Sequence, residues 1–222
     1  MVGFFQSLFG SGEPKGSARR LSHPRDLREG DIIKFGYIEQ PDLSNTEFEV
    51  SQINTYIYGD LCYPELVLKD RSGNLVYMMV EEEDGDEYLA LCKKIQKSEV
   101  SEVIGDDDVL TRILTRGTGA QVPVLKKPSG LEAWLVDSYT EVDDSVRGAF
   151  VKGDARYLAE QDINRQEKFT SHILEDATED YAIEIEIYST GETEVCATVY
   201  HGIDEIEEMW PSNTPSETKN QG

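Results

Sequence analysis

A two-residue rhythm limits what this chain can become. From Tyr181 onward Ile183, Ile185 and Ile187 alternate with Glu184 and Glu186. Only an extended strand, whose successive side chains point to opposite faces, sorts such a segment into one apolar and one charged side. The spacing predicts one face in the core and the other in water. Ser189-Thr190-Gly191-Glu192 turns the chain into Val195, Ala197 and Val199, and the alternation resumes as the second arm of a hairpin.

The same rhythm recurs earlier. Gly30-Asp31 is a turn ahead of Ile32, Ile33 and Phe35, and further strands are predicted at 47–58, 65–69, 75–80 and 88–93. Asp70-Arg71-Ser72-Gly73-Asn74 joins one pair of strands and Glu81 to Glu87 joins the next. That second loop carries six acids in seven residues. Hard cations want several carboxylate oxygens, but the run lacks the twelve-residue ligand spacing of a calcium-binding loop. Asp84-Gly85 reads instead as the tip of a hairpin, with weak divalent binding as the lesser alternative. Asp106, Asp107 and Asp108 suit the start of a helix through Val109, Leu110, Ile113 and Leu114, ended by Gly117 and Gly119.

The fold class is therefore mostly β, of the α+β kind: two β-rich halves of antiparallel strands, a short helical connector and an N-terminal amphipathic helix. The expected divisions are a head and flexible linker (1–26), a first β-rich half (27–97), a connector (98–130), a second half (131–210) and a disordered tail (211–222). The second half opens at Leu131-Glu132-Ala133-Trp134-Leu135-Val136. Residues 156–163 and 168–174 fit strand or helix equally. Ile203, Ile206, Met209 and Trp210 suggest a last short helix or turn. The hairpins around Gly73 and Gly191 are faintly alike, which would make an internal duplication.

Charge narrows the function classes. Asp and Glu number 44 against 21 Lys and Arg, a formal charge of -23. Residues 1–28 hold five bases and two acids, so the head is +3 and the remainder -26. A body so negative repels a phosphate backbone, which argues against direct nucleic-acid binding. Cys62, Cys92 and Cys196, an odd and scattered set, fit a reducing compartment. His23, His172 and His201 are equally dispersed, so the spacing offers no metal site and no cofactor. No secretory signal is evident and no run of 18 apolar residues occurs, which predicts a cytoplasmic protein.

Phe4, Phe5, Leu8 and Phe9 fall on one side of a short helix. Such a helix is unstable alone, so it must dock: on its own body, on a second copy, on a protein partner, or on a membrane interface helped by the bases from Lys15 to Arg28. Tyrosine is frequent in the first half, at Tyr56, Tyr58, Tyr63, Tyr77 and Tyr88. These rings suit half-buried strands, and can also anchor a partner. Motifs of nucleophilic, phosphate-binding and zinc-dependent enzymes are missing, so no catalytic residue is assigned.

The head Gly3-Phe4-Phe5-Gln6-Ser7-Leu8-Phe9-Gly10, the Leu27-Arg28-Glu29-Gly30-Asp31 strand entry, Glu65 to Asp70, the Glu81-to-Glu87 tip and Ile203 to Pro211 together resemble the YjfK-like bacterial proteins, a family without assigned biochemistry. The resemblance covers most of the chain through unspecific motifs. Members of such families are often encoded near phage-shock-type membrane-stress proteins, which implies a place at the inner face of the membrane and supplies no catalytic residues.

The function expected from sequence is a non-catalytic protein-interaction module near the cytoplasmic face of the membrane, docking through Phe4, Phe5, Leu8 and Phe9. The alternatives are an acidic decoy or inhibitor of a nucleic-acid-binding protein, and a carboxylate-dependent hydrolase.

Overall fold

The computed structural model describes residues 19–115, 119–157 and 165–212. The expected head helix, with Phe4, Phe5, Leu8 and Phe9 as its expected docking residues, lies outside the described residues, as do residues 10–18 of the linker, Gly117, residues 158–163 and residues 213–222 of the tail.

Strands dominate: β1 (Ile32–Phe35), β2 (Glu47–Tyr58), β3 (Leu61–Lys69), β4 (Leu75–Glu83), β5 (Asp86–Lys94), β6 (Gln121–Pro123), β7 (Ser138–Val151), β8 (Glu167–Glu175), β9 (Tyr181–Tyr188), β10 (Thr193–Gly202) and β11 (Ile206–Trp210). Two short helices, α1 (Val100–Ile104) and α2 (Asp107–Ile113), form the connector. Every strand pairing is antiparallel. In one continuous sheet the order runs β11-β1-β2-β3-β4-β5-β10-β9-β8-β7-β6.

A further pairing of β2 with β7, through Thr55↔Val151, Tyr56↔Phe150 and Ile57↔Ala149, closes eight of these strands into a barrel. The two β-rich halves meet along β5–β10 and β2–β7 and contribute four strands each to that ring. The long strands bend into closure where their registers slip, between Val50 and Gln52 on β2 and between Glu141 and Val146 on β7. Beside the ring, β1 pairs with the start of β2 and with β11, and β6 pairs with the start of β7.

Local chemistry explains the turns. Asp84 and Gly85 both take positive φ, 53° and 91°, as a two-residue hairpin tip requires. Asp70 accepts from the backbone N–H groups of Ser72 and Asn74 and so shapes the loop from β3 to β4. Asp106 caps α2 by accepting from the N–H groups of Asp108 and Val109.

Three expectations need correction. Residues 19–26 are not loose linker: a 3-10 turn at Pro24–Asp26 is capped by His23, Pro24 is buried, and Arg19 pairs with buried Asp31. Leu131 to Val136, the expected opening of the second β-rich half, is a turn-rich segment that delivers Trp134 and Leu135 to the core. After Gly202 the chain makes a 3-10 turn at Ile203–Glu205 and then strand β11, because backbone pairing with β1 outweighs the helical spacing.

The main hydrophobic core lies against the barrel wall. Leu66, Leu68, Met78, Leu89, Leu91, Ile183, Ile185, Ala197 and Val199 point to one face of their strands. Leu27, Ile33, Phe35, Leu43, Val103, Ile104, Ile113 and Trp134 cover that face. The N-terminal segment, β1 and the connector therefore act as an apolar jacket over part of the barrel.

Candidate functional site

The opposite face of the same strands points into the barrel. On β9 it carries Ala182, Glu184, Glu186 and Tyr188, and on β10 Cys196, Thr198 and Tyr200. Side chains from strands far apart in the ring meet there, as only inward-pointing groups can: the Tyr56 hydroxyl of β2 donates to Glu186 Oε2 of β9 at 3.2 Å. Tyr188 donates to the same oxygen at 2.6 Å. Asn54 donates to Glu65 at 2.7 Å, and the Thr198 hydroxyl donates to Glu184 at 2.6 Å.

Aromatic rings fill one side of the interior. Tyr56 sits edge-on to Phe150 and Phe169 at 5.3 and 5.5 Å, and Tyr58 to Phe169 at 5.7 Å. This cluster requires Gly148: a Cβ there would stand 2.4 Å from the Phe169 ring and 2.9 Å from the Tyr58 ring. The five tyrosines singled out in the first half all belong to this inward set by strand parity. Tyr58, Tyr63, Tyr77 and Tyr88 are half-buried on strands, as expected, and Tyr56 is buried, but all lie in the lumen rather than on an outer surface.

The rest of the interior is open. A cavity of about 310 Å³ is walled by Tyr58, Tyr63, Met79, Glu81, Ser171, Glu184 and Tyr200. A small void of about 20 Å³ lies against Tyr56, Glu65, Cys92, Glu184, Glu186 and Cys196. Toward the other end of β4, β5 and β10, Lys94 pairs with Glu194 and sits 4.9 Å from the centre of the Tyr77 ring.

Enclosure alters the acids. Burial pushes Glu65 and Glu81 up to about 7 and Glu186 up to about 8. Glu184 rises for the same reason, with the Thr198 hydrogen bond pulling the other way. The charge of Glu184 adds to the upward push on Glu81 and Glu186. Burial also raises the phenols of Tyr56, Tyr58, Tyr188 and Tyr200, so they stay protonated and available as donors.

The expected wet face of Glu184 and Glu186 is thus corrected: closure of the sheet encloses the face that a flat sheet would leave in water. Ser171 is 3% exposed and lines the cavity; the Tyr58 phenol faces its hydroxyl, but no described polar group makes a close hydrogen bond to it. Among the described residues no three His, Cys, Asp or Glu side chains converge as a metal site would need, the Glu81-to-Glu87 run included. No described helix is long and apolar enough to cross a membrane.

The predicted docking residues play no part in this geometry, being outside the described residues. The chamber residues were not foreseen. The signal that could have found them is the company of the acids: Tyr63 shares a parity with Glu65 on β3, Tyr77 with Glu81 on β4 and Tyr188 with Glu184 and Glu186 on β9, and rings that large seldom line a fully wet face.

The fold so described is a closed eight-stranded antiparallel barrel with a polar, tyrosine-rich lumen. Compared with known proteins, the chain matches no family model, no curated protein and no solved structure.

Proposed function

We propose that this protein is a non-catalytic binding protein that holds a small molecule inside its barrel. A ring of eight strands is just wide enough either to be filled by side chains or to hold one small ligand. Here filling is incomplete. The observation that carries the reading is the cavity itself: about 310 Å³, within the range of small-molecule sites, on a wall that holds carboxyls, phenols and the buried Ser171 hydroxyl, which the Tyr58 phenol faces without a close hydrogen bond. A ligand atom could complete the hydrogen bonding of that hydroxyl.

Amide NMR of the labelled protein against a mixed library of charged and neutral fragments tests this. Binding should move the resonances of Tyr58, Ser171 and Tyr200, and Val146→Trp, which places an indole on the cavity wall, should abolish those shifts. Ser171→Ala serves as a gentler second variant. Shifts confined to the outer surface, or none, would refute the reading.

A second reading, a carboxylate-dependent hydrolase, is favoured by Glu81 and Glu184 lining one cavity. Acid and base roles need two carboxyls whose pKa values are driven apart. In this chamber burial drives both upward, and among the described residues no cation lines the cavity to hold either one ionised. The arrangement is better suited to binding than to proton transfer.

A further inference from the structure

We propose that the chamber takes a small organic cation, an amine with an apolar or aromatic body, seated between the carboxyl groups of Glu81 and Glu184 and the rings of Tyr58, Tyr63 and Tyr200. This inference rests on the ligand-binding reading above and adds the class of ligand.

The wall selects for it. Three glutamates, Glu81, Glu82 and Glu184, and three tyrosines line the cavity, and no Lys, Arg or His does so among the described residues. Ring faces attract ammonium groups, most strongly where water is excluded. The rings stand edge-on to their neighbours, Tyr58 to Tyr63 at 6.1 Å and Tyr200 to Tyr88 at 5.6 Å, so faces as well as edges are presented. An anionic ligand would meet repulsion from whichever of these carboxyls is ionised and would find no cation among the described residues of the wall. A bare metal ion is disfavoured because the acids are too dispersed to coordinate one. A polyatomic cation spans such dispersed groups, while Met79 and the rings take its apolar body and Ser171 a polar atom. The overall charge of -23 would also draw cations toward the barrel mouth.

Binding should be linked to protons. Glu81 is faced by Tyr88 of β5, Tyr200 of β10, Glu184 of β9 and Glu83 of its own strand. Glu184 is faced by Thr198 and Cys196 of β10, Cys92 of β5, Glu65 of β3, Tyr58 of β2 and Glu186 of β9. Glu175 of β8 and Asp143 of β7 add negative charge, and Lys94, next to Glu65, is the cation among these groups. A bound ammonium favours the ionised carboxylate, so the protein releases a proton as the amine enters. With Glu81 near 7, amine affinity should rise roughly tenfold between pH 6 and pH 8.

Calorimetry with tyramine, spermidine and 4-ethylphenol provides the test, since 4-ethylphenol is tyramine's body without the amine. The expected result is that tyramine or spermidine binds at pH 8, roughly tenfold more weakly at pH 6, and at least tenfold more tightly than 4-ethylphenol. Glu184→Gln and, nearer the rim, Glu81→Gln should each weaken the amine at least tenfold and leave 4-ethylphenol unchanged. If 4-ethylphenol or other neutral fragments enter the chamber as tightly as the amines, the cation inference fails and the ligand reading stands. If neither amine binds at millimolar concentration, or if amines perturb only surface resonances, the inference also fails. The fragment screen then decides the ligand reading separately.

Discussion

The two faces of strand β9 share a backbone, a register and almost equal burial, yet they do opposite things. Ile183 and Ile185 pack into the jacketed core beside Leu89, Leu91 and Val199. Glu184 and Glu186, one residue over, point into a lumen where their carboxyls are forced toward neutrality. The outer face gains from every carbon removed from water. The inner face instead holds polar groups by hydrogen bonds from Thr198, Tyr56 and Tyr188 and leaves space beside them. Burial alone therefore does not mark a core, and the unfilled polar face is the one equipped for a ligand.

Substitutions on each face should separate these roles. On the jacketed side, Trp134→Ala removes a ring that is 1% exposed, donates from its indole nitrogen to Asp42 and lies under Lys93. It should cost about 3–5 kcal/mol in chemical denaturation and leave binding in the folded fraction intact. Inside the barrel, Gly148→Ala forces a methyl against Phe169 and Tyr58. A cost of about 1–3 kcal/mol is expected, together with altered near-ultraviolet circular dichroism from the displaced rings. A neutral result at Gly148 would mean the aromatic cluster is looser than described.

Glu186→Gln should act in the other direction, and only above mildly acid pH. Below about 4.5 the carboxyl is neutral in both folded and unfolded chains, so the native glutamate carries no penalty. Between about 4.5 and about 8 the unfolded chain ionises while the folded one resists, and stability falls. The amide should therefore stand within about 1 kcal/mol of the native protein at pH 5 and exceed it by up to about 4 kcal/mol at pH 8. Equal effects at both pH values would place Glu186 in water. The smallest change is expected for Tyr56→Phe, which removes one of the two phenol donors to Glu186. It should cost about 1 kcal/mol and lift the Glu186 titration further.

Much of the fold was legible in the sequence because local rules and tertiary packing agree there. The run at 47–58 is a strand over its whole length, Asp84-Gly85 is a hairpin tip, Asp106 caps a helix, and Ser189 to Glu192 turns β9 into β10. What was hidden is closure. Alternation reports that a strand has two unlike faces, but whether the second face meets water depends on Thr55, Tyr56 and Ile57 pairing with residues about a hundred positions away. The chamber was hidden with it. Glu65, Glu81 and the pair Glu184 and Glu186 sit on three separate stretches of sequence, and Ser171 lies in a segment whose period fitted strand and helix alike. The acidic composition also drew attention to surface charge, when the acids that matter for binding are those removed from it.

Carbon-13 NMR titration of the glutamate side-chain carboxyls tests most directly whether the Glu-and-Tyr face is enclosed. The structure predicts that Glu186 is half-protonated near pH 8 and Glu65 and Glu81 near pH 7, far from the bulk of the glutamates at about 4.3. If all of them titrate together in the ordinary carboxylate range, the inner face is wet and the binding chamber does not exist.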